Sequence, residues 1–123
     1  MNKRPRLFSD LVAFYKIYYP HHLNLPKAFR LSAGEEILRE LTQSLALVAA
    51  ANLADHNRPE DRREAAERLK TARISLETAR ALLIVAWELK FISSAVLSDL
   101  DHRLNELGQQ AARWREWFDK KPK

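Results

Sequence analysis

The chain has 123 residues, the size of one domain, and carries 46% hydrophobic and 30% charged side chains with two glycines and no cysteine. Twelve Val, Ile and Thr residues are too few to fill a sheet. The shortage of glycine removes hairpin turns and phosphate-cradling loops, and the lack of cysteine excludes disulfides, thiolate metal sites and cysteine nucleophiles.

Between punctuation by proline and polar clusters, apolar residues recur at helical spacing, which predicts four helices. The first is expected from about Pro5 to Tyr19, with Leu7, Phe8, Leu11, Phe14, Tyr15 and Tyr18 on one side and Pro20 as its stop. A loop from His21 to Leu31 follows, and Ser32 with Glu35 forms the capping box of the second helix, which runs to about Ala54. Its predicted seam is Leu38, Leu41, Leu45, Val48 and Asn52.

Pro59, followed by Glu60 and Asp61 near the positive end of the dipole, opens the third helix. Leu69, Ala72, Leu76, Ala79, Leu83 and Ala86 make its seam, and the stretch Ala81 to Trp87 is apolar on every side. Ser93 or Ser94 caps the fourth helix, with Leu97, Leu100, Leu104, Leu107, Ala111, Trp114 and Phe118 in three-four alternation. Short connections favour an all-α, antiparallel up-down four-helix bundle, a single domain over residues 1–119, with 120–123 as a disordered basic tail. The surplus apolar surface predicts an oligomer interface at Leu82, Leu83, Ile84, Val85 and Trp87 with Tyr18 and Tyr19; the competing reading is a well-filled core.

No Glu-x-x-His pair, no serine with neighbouring His and Asp, and no catalytic constellation is found. Neither a metal nor a cofactor is expected; His21 and His22 are placed in a loop, His56 in a turn, and His102, beside Asp101 and Arg103, on a charged outer face. No membrane span or signal peptide is expected, and the composition suits the cytoplasm.

The net charge of +5 is concentrated near the chain's two ends: residues 1–30 hold six basic residues against Asp10, and from Arg103 onward six face three acids. Such asymmetry points to a polyanion, bound without strong sequence preference, or to an acidic partner; on charge alone a solvated face is an equal reading. The candidate contacts are Lys3, Arg4, Arg6, Lys16, Lys27, Arg30, Arg113, Arg115, Lys120 and Lys121. For Arg30 an equal reading is that it braces the loop by donating to helix-end carbonyls.

The run Phe14-Tyr15-Lys16-Ile17-Tyr18-Tyr19-Pro20, then Leu25-Pro26-Lys27-Ala28-Phe29-Arg30-Leu31-Ser32-Ala33-Gly34, resembles the four-helix-bundle accessory variability proteins of diversity-generating retroelements. Leu104-Asn105-Glu106-Leu107-Gly108 followed by Trp114 is similar to that family's closing pattern, and Ala51-Asn52-Leu53-Ala54-Asp55 to the related ribosomal intervening-sequence proteins. Leu25 and Leu31 stand where the family has aromatic residues, and Asp55-His56 where the related proteins have Glu-Gly. The resemblance implies a pentameric ring of bundles with a positive surface, binding RNA or DNA and, in the retroelement branch, a reverse transcriptase. The alternative it implies is a nucleic-acid-binding or scaffolding bundle without that enzyme.

Overall fold

The computed structural model describes residues 5–122, so Lys3, Arg4 and Lys123 lie outside the described residues. All regular structure among those residues is helical: α1 (Leu7–Leu23), α2 (Lys27–Phe29), a π-helical stretch (Arg30–Gly34), α3 (Glu35–Asn52), α4 (Pro59–Glu88) and α5 (Ser94–Asp119). The four long helices pack against one another: α4 lies along α3 and α5, and α1 rests more sparsely on the same two helices.

Each helix contributes one apolar stripe to a common core. Leu7, Leu11, Phe14 and Tyr18 face inward from α1, and the predicted seam of α4 is buried at all six positions, Leu69 to Ala86. On α5, Leu100, Leu104, Leu107, Ala111 and Phe118 are buried, with Leu97 and Trp114 packed at the edge. In α3 the centre of the stripe differs from expectation. Ile37, Leu41, Ser44, Val48 and Ala51 point inward, Leu38 and Leu45 are half-buried, and Asn52 is exposed. The small Ser44 lets the two backbones approach, its Oγ donating to the Glu40 carbonyl at 2.9 Å and reaching the Ala72 carbonyl of α4 at 3.4 Å.

Two expected boundaries are corrected. Pro20 does not stop α1, which continues to Leu23. A proline forfeits one backbone bond to the turn before it, but Pro20 and Lys16 are exposed while Tyr18 and His22 are buried on the same face to either side, so burial holds the turn together. The second boundary fails because Pro26 is extended and helical structure begins at Lys27. Ser32 therefore lies inside a helical run, its Oγ donating to the Ala28 carbonyl at 2.8 Å, and makes no capping box.

At α5 the expected cap is present: the Ser93 side chain accepts from the Val96 N–H at 3.1 Å. Before it, α4 ends with the Phe91 N–H donating to the Ala86 carbonyl at 2.8 Å and the Lys90 N–H to that of Trp87 at 2.9 Å. This is the Schellman arrangement, and it places Lys90 at φ 66°, where a side chain is strained. Lys90→Gly is expected to raise unfolding stability by about 1 kcal/mol, read as a higher urea midpoint at unchanged slope; a lower midpoint would show that the Lys90 side chain contributes more than its strain costs.

Candidate nucleic-acid interface

One residue of each basic segment meets in space, Arg6 and Arg113, 107 positions apart in the chain. Arg6, just before α1, lines one depression with Glu106, Gln110, Arg113 and Trp114 of α5. The register is held by Gln110, whose Nε2 donates to Asp10 at 2.9 Å, while Arg6 pairs with the same carboxylate at 3.6 Å.

The turn between α3 and α4 closes on this same end. His56 stacks on Trp117 with ring centroids 3.8 Å apart, and its Nε2 lies 2.9 Å from the Trp117 carbonyl and 3.1 Å from that of Lys120. Carbonyls only accept, so this nitrogen carries the proton and caps the end of α5. Arg62 donates to the His56 carbonyl at 3.1 Å, and the neighbouring Arg58 and Arg63 are exposed. Of the nearby acids, Asp55 and Asp61 are occupied in accepting backbone N–H groups of the turn. Arg58 and Arg63 escaped the sequence reading because Glu60, Asp61 and Glu64 neutralise their segment in a linear count; the turn carries them, together with those acids, to this end.

Other candidates lie apart. Lys16 is exposed midway along α1, and Lys27 sits beyond the far end of α1, about 25 Å from its start at 1.5 Å per residue. Arg30 takes the bracing geometry, Nη1 donating to the carbonyls of Leu23 at 3.3 Å and Leu25 at 3.4 Å. Arg115 pairs with Asp119 at 3.9 Å and lines a different groove, between α4 and α5. Lys120 and Lys121 do lie at the end closed by the α3–α4 turn, exposed just beyond α5.

The predicted oligomer set divides. Leu83 and Tyr18 are each only 1% exposed, enclosed by the chain's own core, so they are corrected to core residues with no surface to offer a partner. Ile84, Val85, Trp87 and Tyr19 are exposed and Leu82 is half-buried. Trp87 also donates from Nε1 to Ser94 Oγ at 2.9 Å, joining the ends of α4 and α5. A run that looks uniformly apolar is thus split by helical rotation into an inner and an outer set.

His22 is a further correction, since it lies buried on α1 rather than in a loop. Its Nδ1 lies 3.2 Å from the Tyr18 hydroxyl, its Nε2 3.7 Å from a Glu35 oxygen, and a Cβ on Gly34 would come within 3.1 Å of its ring. The signal was available in the spacing, because position 22 continues the stripe 7, 11, 14, 18 beyond the proline. Burial holds the His22 imidazole below its usual range, opposed by Glu35 and reinforced by Arg30, and burial pushes the Tyr18 hydroxyl well above its own. A lowered histidine pKa in the folded state means that the unfolded chain binds more protons. Stability is therefore expected to be full above pH about 6.5, the ordinary imidazole value, and to fall as pH drops from there toward the depressed folded value. Urea titrations from pH 8 to 5 on the natural chain and on His22→Gln test this; an identical pH slope in both would remove His22 as the cause.

Among the described residues no group of three His, Asp or Glu side chains is placed to hold a metal ion, and no helix is long and apolar enough to cross a membrane. Compared with protein-family models, curated proteins and solved structures, the chain matches none. Fold and surface together define an all-helical protein with four mutually packed helices, in which the start of α1, the end of α5 and the α3–α4 turn come together with basic and acidic side chains at one end.

Proposed function

We propose that this chain is a non-enzymatic, nucleic-acid-binding accessory protein: an antiparallel up-down four-helix bundle that assembles into a ring and holds RNA or cDNA for a reverse transcriptase in the cytoplasm. The observation that supports it is the convergence of Arg6 and Arg113 in one depression, with Arg58, Arg63, Lys120 and Lys121 exposed at the same end of the molecule. Cations gathered on one surface neutralise successive phosphates and release their counterions, which separated cations do not. The reverse transcriptase and the pentameric count rest on the family resemblance of the loop and helix-end motifs.

The test is fluorescence anisotropy with a short single-stranded RNA and the matching DNA over a salt series. Arg6→Glu with Arg113→Glu is expected to weaken binding at least tenfold and to flatten the logarithmic salt slope by about 0.7 to 0.9 per lost contact. Lys27→Glu, at the far end, should leave both unchanged. Equal binding by the natural chain and the double variant at every salt concentration would reduce the basic end to a solvated face. A reverse-transcriptase gene beside this one, flanked by template and variable repeats, supports the retroelement reading; its absence favours the intervening-sequence alternative.

A further inference from the structure

The elbow between α1 and α3 closes over one side chain. His22, in the last turn of α1, is 3% exposed. Tyr18 of its own helix meets one ring nitrogen, Glu35 of α3 lies opposite the other, and the Tyr19 ring stacks on the imidazole at 5.9 Å. On the π-helical stretch, Gly34 comes so close that a larger residue would press on that ring, and Leu25 fills the space beside it. Arg30, from the same stretch, ties the elbow into a unit through the Leu23 and Leu25 carbonyls. A π turn is uncommon and holds more residues than an α turn; here it brings Gly34 against the ring.

We propose that His22 is a proton-operated latch: taking up a proton releases the elbow, residues 23–34, from the end of α1 while α3, α4 and α5 stay packed. A neutral imidazole has one donor and one acceptor. A carboxylate only accepts, so Nε2, which faces Glu35, carries the proton, and Nδ1 accepts from the Tyr18 hydroxyl. A second proton on Nδ1 makes that nitrogen a donor, and the Tyr18 hydroxyl must turn round to accept. Its own hydrogen is then orphaned: Tyr18 is 1% exposed and, among the described residues, its hydroxyl has no second partner. The cation itself is also poorly compensated. Glu35, the acid facing it, is half in water and therefore screened, Arg30 is a like charge, and Tyr19 offers only its ring. The charged imidazole is better solvated outside, and the elbow must part from α1 to let it leave. Helix α1 rests more sparsely on its neighbours than the other long helices do, so a local opening costs least here. The latch does not depend on what the chain binds.

The experiment is hydrogen exchange of the whole chain read by mass spectrometry at pH 7.5 and 5.5, with rates corrected for their intrinsic pH dependence. An exposed imidazole titrates at about 6.5, so the opened form gains about tenfold on the closed form between those two conditions. Protection of residues 23–34 is expected to fall by that factor in the natural chain and in His21→Gln, and to stay below that of the buried stripes of α4 and α5 at both pH values. His22→Gln should show equal protection at both. Gly34→Ala, whose methyl would come within 3.1 Å of the His22 ring, should lower elbow protection already at pH 7.5. Should His22→Gln fail to fold, Tyr18→Phe takes its place: without the hydroxyl nothing is orphaned on protonation, and the response should shrink. An elbow as well protected as α4 and α5 opens only by global unfolding and overturns the proposal. So does a response that survives in His22→Gln, stays undiminished in Tyr18→Phe, or disappears in His21→Gln.

Discussion

Leu83→Asp is expected to remove a large part of the chain's stability and lower its melting temperature steeply, whereas Ile84→Asp, one residue further on, costs little. Leu83 is 1% exposed in the shared core and Ile84 is 37% exposed on the outer side of the same helix turn. An unpaired carboxylate at the first site removes the leucine's apolar burial and must be desolvated or protonated, a loss on the order of 4 to 5 kcal/mol against a total stability of about 5 to 15. At the second site the carboxylate reaches water, and the cost is about 1 kcal/mol of lost partial burial. Thermal unfolding followed by circular dichroism separates the two variants. Comparable melting temperatures would mean that Leu83 is not enclosed by its own chain.

The second large effect is expected at Phe118. It is buried at the end of α5, where its ring meets Trp117 at 4.9 Å, Trp114 at 5.5 Å and His56 at 6.1 Å. Phe118→Ala removes the centre of that cluster and is expected to cost about 3 to 5 kcal/mol, because rings wedged between two helix ends and a turn cannot collapse into the space. The same substitution should loosen the His56 stack and shift tryptophan emission to the red in the folded state. It should also weaken RNA binding, since the turn carrying Arg58 and Arg63 is held against α5 by His56. A loss below about 1 kcal/mol with unchanged emission would show that the cluster contributes little.

The Arg80 pair illustrates why such contacts are not readable from spacing. Arg80 of α4 pairs with Asp101 of α5, and that carboxylate raises the guanidinium pKa above its already high value. Both residues look like ordinary outer-face charges in their own helices, and their meeting depends on how the two helices are rotated.

The sequence alone determined the class of structure, the inward stripes of α4 and α5, the start at Pro59 and a serine cap at 93 or 94, of which the structure selects Ser93. Those features are local: they follow from the 3.6-residue repeat, from the missing proline donor and from a hydroxyl within reach of its own helix start. Composition likewise placed the excess positive charge near the two ends of the chain. Only the tertiary structure decided that α1 runs through Pro20, since buried Tyr18 and His22 outweigh one lost backbone bond. It alone separated Leu83 from Ile84, because a helix apolar on every side carries no mark of which side its neighbours occupy. It also brought Arg6 to Arg113 and set Lys27 apart, for a phosphate-sized cluster is a matter of distance in space, and helices that fold back on one another make that distance independent of separation along the chain.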